Sequence, residues 1–168
     1  CPDGSGICNS NIEYAHNLRP NSTEDANGNT STMSWSANGA NLEENMNALN
    51  QTTSMEYDDE NNLIRITNAR GHETIMNYDN SSHPTFMTSM VDALGQTSLY
   101  TPTAEGLLAA QEGIDGVVTT YQYNAFGQPT ELRVGVGTSS ELVTFYGYDA
   151  VGRTITTTQH SLSNAFDD

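Results

Sequence analysis

The sequence contains no lysine, and its five basic residues, all arginine, stand against 21 acidic ones for a net charge of −16. Nucleic acid and anionic membranes are bound through clustered cations, so this balance argues against both. No apolar run approaches the roughly 18 residues that suggest a membrane-spanning helix. Hydrophobic residues make up 35% of the chain and mean hydropathy is −0.54. That is little material for a packed core, and a thin sheet buried mainly on one face accounts for it. The excess of acid is read first as solubility in a secreted protein.

Cysteine is also scarce, with only Cys1 and Cys8 present. They flank an Asp3–Gly6 turn signal, and a hairpin there would place the two thiols opposite each other. A disulfide would staple that hairpin and imply an oxidising, extracytoplasmic location. In the competing reading Cys1 is the lipidated first residue of a lipoprotein and Cys8 is free. Zinc is not expected from two cysteines with only His16 nearby.

Catalytic patterns are missing as well. His16, His72, His83 and His160 fall in no metal or triad spacing, and no HExxH, GxSxG, phosphate-binding loop or paired CxxC occurs. The acidic neighbours Glu43-Glu44, Asp58-Asp59-Glu60 and Asp167-Asp168 read as solvated turns or terminus, not as acid–base pairs. The expectation is a protein that is not an enzyme, with no catalytic residues and no cofactor. Asp25, Asn27 and Asn29 alternate oxygen-bearing side chains around Gly28 and form a weak calcium candidate. The remote glutamate of a calcium-binding hand is missing, and the same residues serve a turn. Asn21, Asn29, Asn50 and Asn80 stand in glycosylation triplets, which a chain rich in Asn, Ser and Thr produces by chance.

What the sequence does contain is a repeat. Tyr121-Gln122-Tyr123-Asn124-Ala125-Phe126-Gly127 returns as Tyr146-Gly147-Tyr148-Asp149-Ala150-Val151-Gly152. The second aromatic, taken as an anchor, falls at Tyr14, Trp35, Tyr57, Tyr78, Pro102, Tyr123 and Tyr148, at intervals of 21 to 25 residues. Two residues earlier stands Ile12, Met33, Met55, Met76, Tyr100, Tyr121 or Tyr146. Four residues later comes Gly39, Asn61, Ser82, Gly106, Gly127 or Gly152; Leu18 breaks the rule in the first copy. A second turn marker lies between anchors and ends at Gly6, Gly28, Asn50, Gly71, Gly95, Gly116 and Gly137. Gly and Asn tolerate positive φ, and Asp or Asn bonds its own backbone two residues on.

Between these turns lie runs rich in Thr, Val, Ile and Tyr, such as 73–78, 117–123 and 154–158. Two turns per repeat predict an all-β antiparallel meander of about fourteen short strands, two for each of seven repeats. The two-residue side-chain period puts each anchor and the residue two before it on one face, expected to be the buried one. The chain, 1–168, is read as one array with no second domain.

The pattern resembles the Rhs or YD-repeat family, whose motif is Tyr-Asp, two variable residues, Gly, Arg and an apolar residue. Tyr148-Asp149-Ala150-Val151-Gly152-Arg153 fits it through the arginine, while Tyr57-Asp58 and Tyr78-Asp79 keep the dipeptide without the glycine. The resemblance implies β-hairpin repeats in a twisted or spiralling sheet. Its members are polymorphic toxins, shells of insecticidal toxin complexes, wall-associated proteins and teneurins, which implies an extracellular or cell-surface place.

Nothing at either end reads as a capping repeat, so strand edges are expected to be exposed at both. The expected function is a non-enzymatic extracellular structural protein that assembles head to tail with its own copies into a filament or surface layer. The alternatives are a segment of a toxin-enclosing shell and a carbohydrate-binding adhesin in contact with glycans or cell surfaces. The structural residues are the spine Tyr14, Trp35, Tyr57, Tyr78, Tyr123 and Tyr148, the turns Gly28, Gly71, Gly95, Gly127 and Gly152, and the Cys1–Cys8 pair.

Overall fold

The structure is a computed structural model that describes residues 11–14 and 18–162. Cys1 and Cys8, and with them the expected disulfide, lie outside the described residues. The chain falls into two compact units, Cys1–Met76 and Asn77–Asp168. Each is built from short antiparallel strands, and no helix occurs among the described residues.

The first unit holds β1 (Asn11–Tyr14), β2 (Pro20–Glu24), β3 (Thr30–Trp35), β4 (Leu42–Met46), β5 (Thr52–Tyr57), β6 (Leu63–Thr67) and β7 (Glu73–Asn77, entering the second unit at its last residue). Each strand from β1 to β6 pairs with the next. The second unit holds β8 (Ser89–Val91), β9 (Thr97–Pro102), β10 (Leu108–Glu112), β11 (Val118–Tyr123), β12 (Pro129–Val134), β13 (Glu141–Tyr148) and β14 (Thr154–Leu162). Again each strand pairs with its successor. The fourteen strands are the all-β meander of hairpin repeats that the two turn markers demand.

The turns form where the markers stand. Gly28, Gly71, Gly95, Gly116 and Gly137 have φ between 74° and 82°, and Asn50 takes their place at 58°. On the anchor side Gly39, Asn61, Gly106, Gly127 and Gly152 do the same, with φ between 64° and 84°. Leu18, which breaks the rule in sequence, still adopts φ 59°, so here the fold imposes the left-handed conformation on a side chain that resists it. Ser82 does not take it; the segment 78–88 is a longer loop, which absorbs the extra residues of the 24-residue interval. Glu43 and Glu44, read as a turn, belong to β4.

Burial is shallow. Among the described residues Val143, 2% exposed, is the one buried hydrophobic residue, and no large side chain is fully buried. The anchor ladder is therefore half-buried from Trp35 to Tyr148, not a closed core, and Tyr14 is 57% exposed.

Register separates the two faces. In each unit the anchors and the residues two before them share a face with Thr23, Thr53, Ile66, Thr119, Leu132 and Thr144. Glu13, Glu24, Glu44, Glu56, Arg65, Glu73, Glu112, Glu131, Arg133 and Glu141 all fall on the opposite face. Arg65 lies between Glu56 at 3.8 Å and Glu73 at 3.6 Å. Arg133 bonds both Glu131 and Glu141. Each arginine thus supplies one cation to two acids on the charged face, and only Glu56 faces its arginine directly across the strands.

Candidate functional site

The candidate arrangement is a structural device that repeats along the chain. A β-bulge breaks the register at each of the anchors Tyr14, Trp35, Tyr57, Tyr123 and Tyr148, and another sits opposite Pro102. The bulge turns the anchor ring back over the preceding hairpin. The indole N–H of Trp35 donates to the carbonyl of Pro20 at 2.9 Å, and the Tyr57 hydroxyl donates to that of Leu42 at 3.0 Å. Tyr123 donates to Leu108 at 2.8 Å and Tyr148 to Pro129 at 2.6 Å. Pro20, Leu42, Leu108 and Pro129 are the strand partners of Tyr14, Trp35, Pro102 and Tyr123. Each of these four anchors thus bonds the residue that pairs with the anchor one repeat earlier.

An amphipathic ring suits this task, because its body covers apolar surface while its polar tip satisfies a backbone carbonyl. Burial, with the neighbouring Tyr121 adding to it, raises the Tyr123 hydroxyl above the usual tyrosine value, so it stays a donor through the neutral range. Trp35 carries the Arg19 guanidinium over its ring at 4.7 Å, a cation–π contact that covers that face of the indole.

The residue after the anchor closes the turn. Asp58 Oδ1 accepts the backbone N–H of Glu60 and of Asn62 at 3.0 and 2.8 Å. Asp149 Oδ1 accepts those of Val151 and Arg153 at 3.0 and 2.9 Å. Asn124 repeats the pattern with Phe126 and Gln128, and Thr103 does so through its hydroxyl with Glu105 and Leu107. The left-handed residue returns its own N–H to the first carbonyl, as Gly152 does to Asp149 at 3.0 Å and Gly127 to Asn124 at 3.0 Å. This is a three-residue hairpin loop, a type I turn followed by a left-handed bulge residue.

A family model, Teneurin YD-shell, matches residues 13–165. The chain belongs to the Teneurin YD-shell family. It is similar in fold to the crystal structure of TcdB2-TccC3, at 15% identity and a TM-score of 0.69, over 90% of this chain and 9% of that one. It is also similar to the crystal structure of TcdB2-TccC3 without its hypervariable C-terminal region, at 16% identity and a TM-score of 0.59, over 89% and 9%. At these identities the likeness shows the fold alone. The chain spans 9% of the length of the first of these structures. No curated protein matches it.

At Tyr57-Asp58 and Tyr148-Asp149 the tyrosine ties one repeat to the last and the aspartate builds the turn that follows, whereas after Tyr78-Asp79 the turn acceptor is Asn80. The second turn marker uses the same chemistry: Asp25, Asn47, Asn68 and Asp92 each accept two backbone N–H groups through Oδ1. The calcium candidate falls within that set. Asp25 Oδ1 faces the N–H of Asn27 and Asn29, and its Oδ2 accepts from the Asn29 amide at 2.8 Å. Asp58 with Asn62 forms the same arrangement, so at Asp25 the geometry is that of a repeated turn. No group of three or more His, Cys, Asp or Glu able to hold a metal occurs among the described residues. The turn glycines named from sequence have positive φ, but the sequence carried no sign of the cross-repeat bond, whose acceptor is a backbone carbonyl with no side-chain signature. The available signal was the type of aromatic anchor: Tyr or Trp, never Phe, with Pro102 the one anchor that is not aromatic.

Proposed function

We propose that this chain is a wall segment of a YD-repeat shell, a non-catalytic structural array whose work is to enclose. The observation that carries this is the YD-shell family match across residues 13–165. The bonds from Trp35, Tyr57, Tyr123 and Tyr148 to the previous repeat support it, because they make stability a sum of neighbour contacts and let such a wall extend. In this reading the repeats of 1–168 act as one array. Enclosure of a toxin, and an extracellular or cell-surface place, come to this chain only through its relatives.

A second reading, a head-to-tail filament of copies of the chain, is favoured by one feature. β14 pairs only with β13 among the described residues, and every residue from Thr154 to Ser161 is exposed. It carries no charge or proline to discourage pairing with another strand. Negative-stain electron microscopy with light scattering separates the two readings. Dispersed particles of single-chain mass support the wall segment, and fibres of constant width support the filament and overturn it.

A further inference from the structure

Two Asn-Gly pairs occur in the chain, Asn27-Gly28 and Asn38-Gly39, both at hairpin tips. Such pairs can rearrange because glycine leaves its backbone nitrogen unshielded beside the asparagine side chain. The two differ in how the structure treats them. Asn38 is held: its Oδ1 accepts the Ser36 hydroxyl at 2.7 Å and the Ala40 N–H at 2.9 Å, and Gly39 is buried. Asn27 is exposed, only its backbone N–H is engaged, and Gly28 beside it is exposed. The Glu24 carboxylate also stands over Gly28, with Oε1 3.7 Å from where a side chain on that residue would begin.

We propose that Asn27 is a site of spontaneous backbone modification in the folded protein. Hydroxide takes the Gly28 N–H proton, the nitrogen attacks Asn27 Cγ, and the side-chain amide takes a proton from water and leaves as ammonia. Water then opens the cyclic imide at either carbonyl, giving aspartate or isoaspartate. Nothing is oxidised or reduced. Isoaspartate adds a backbone methylene inside the Asp25–Asn29 turn. That addition disturbs the Gly28-to-Asp25 bond of 3.0 Å and the turn that sets the β2–β3 register.

The test is peptide mapping by mass spectrometry with isoaspartate detection, after incubating the intact chain at mildly alkaline pH, folded and in urea. In the folded chain Asn27 converts severalfold faster than Asn38. In urea the two rates converge, because the unfolded chain offers both the same local sequence chemistry. Equal rates in the folded chain, or faster loss at Asn38, overturn the proposal. Ser36→Ala, which frees one of the two bonds on Asn38, raises the Asn38 rate; an unchanged rate removes hydrogen bonding as the cause.

Discussion

Tyr121 and Tyr123 lie two residues apart on one strand and one face, yet they do different things. Tyr123 donates to Leu108, whereas Tyr121 contributes its ring. Tyr123→Phe keeps the ring and strands a part-buried carbonyl, so it lowers stability by about 1 kcal/mol in urea unfolding. Tyr121→Phe changes it by far less. Equal effects would mean that the ring, not the hydroxyl, ties the repeats. Backbone conformation supplies the second test at this scale. Leu18 at φ 59° is strained, and Leu18→Gly raises stability by roughly 1 kcal/mol less the entropy that glycine adds to the unfolded chain. Gly152→Ala runs the other way by about 1 kcal/mol or more. Its φ is 84°, and a Cβ there meets the Gln128 amide at 3.0 Å, an amide that itself donates to the Gly152 carbonyl. Both changes are read as shifts in the urea midpoint.

The hairpin turn is the element on which acid acts. Hydrogen bonds from Asn29 and Asn27 hold Asp25 below the usual carboxylate value, and bonds from Arg153 lead those that lower Asp149. At Asp58 partial burial pushes upward, but bonds from Asn62 and Glu60 outweigh it. A carboxylate with a lowered folded value contributes stability above the unfolded value, near pH 4, and loses it as pH falls through the folded value. Melting temperature therefore drops below about pH 4, and the triple change of Asp25, Asp58 and Asp149 to Asn makes that drop smaller. Asparagine can serve because Asn47, Asn68 and Asn124 already hold such turns through Oδ1. An equal drop in parent and variant would place the acid-sensitive groups elsewhere. These turns were readable in the sequence because their conformation is restricted to a few residue types. Leu18 was not, since its conformation comes from the hairpin it closes and not from its own preference. The separation of faces was also hidden, because both faces carry Thr and Asn, and pairing register is needed to see that ten of the strand charges share one side.

At the scale of the molecule, the shallow burial and the anchor bonds make the same claim. Val143 alone, 2% exposed, is a buried hydrophobic residue among those described, so no single core holds the strands at once. Each repeat is instead stabilised by its neighbours, and damage should stay local. Native-state hydrogen exchange tests this directly on Tyr123→Phe. Amides of β10, β11 and β12 lose protection, since the missing bond joined Tyr123 to Leu108, while those of β3, β4 and β5 keep theirs. A uniform loss across all strands would show one cooperative unit and remove the additive basis on which a wall of such repeats extends. Salt gives an independent check. With a net charge of −16, screening relieves self-repulsion, so added sodium chloride raises the melting temperature. A fall would mean that the Glu–Arg–Glu groups around Arg65 and Arg133 outweigh the repulsion between the remaining acids.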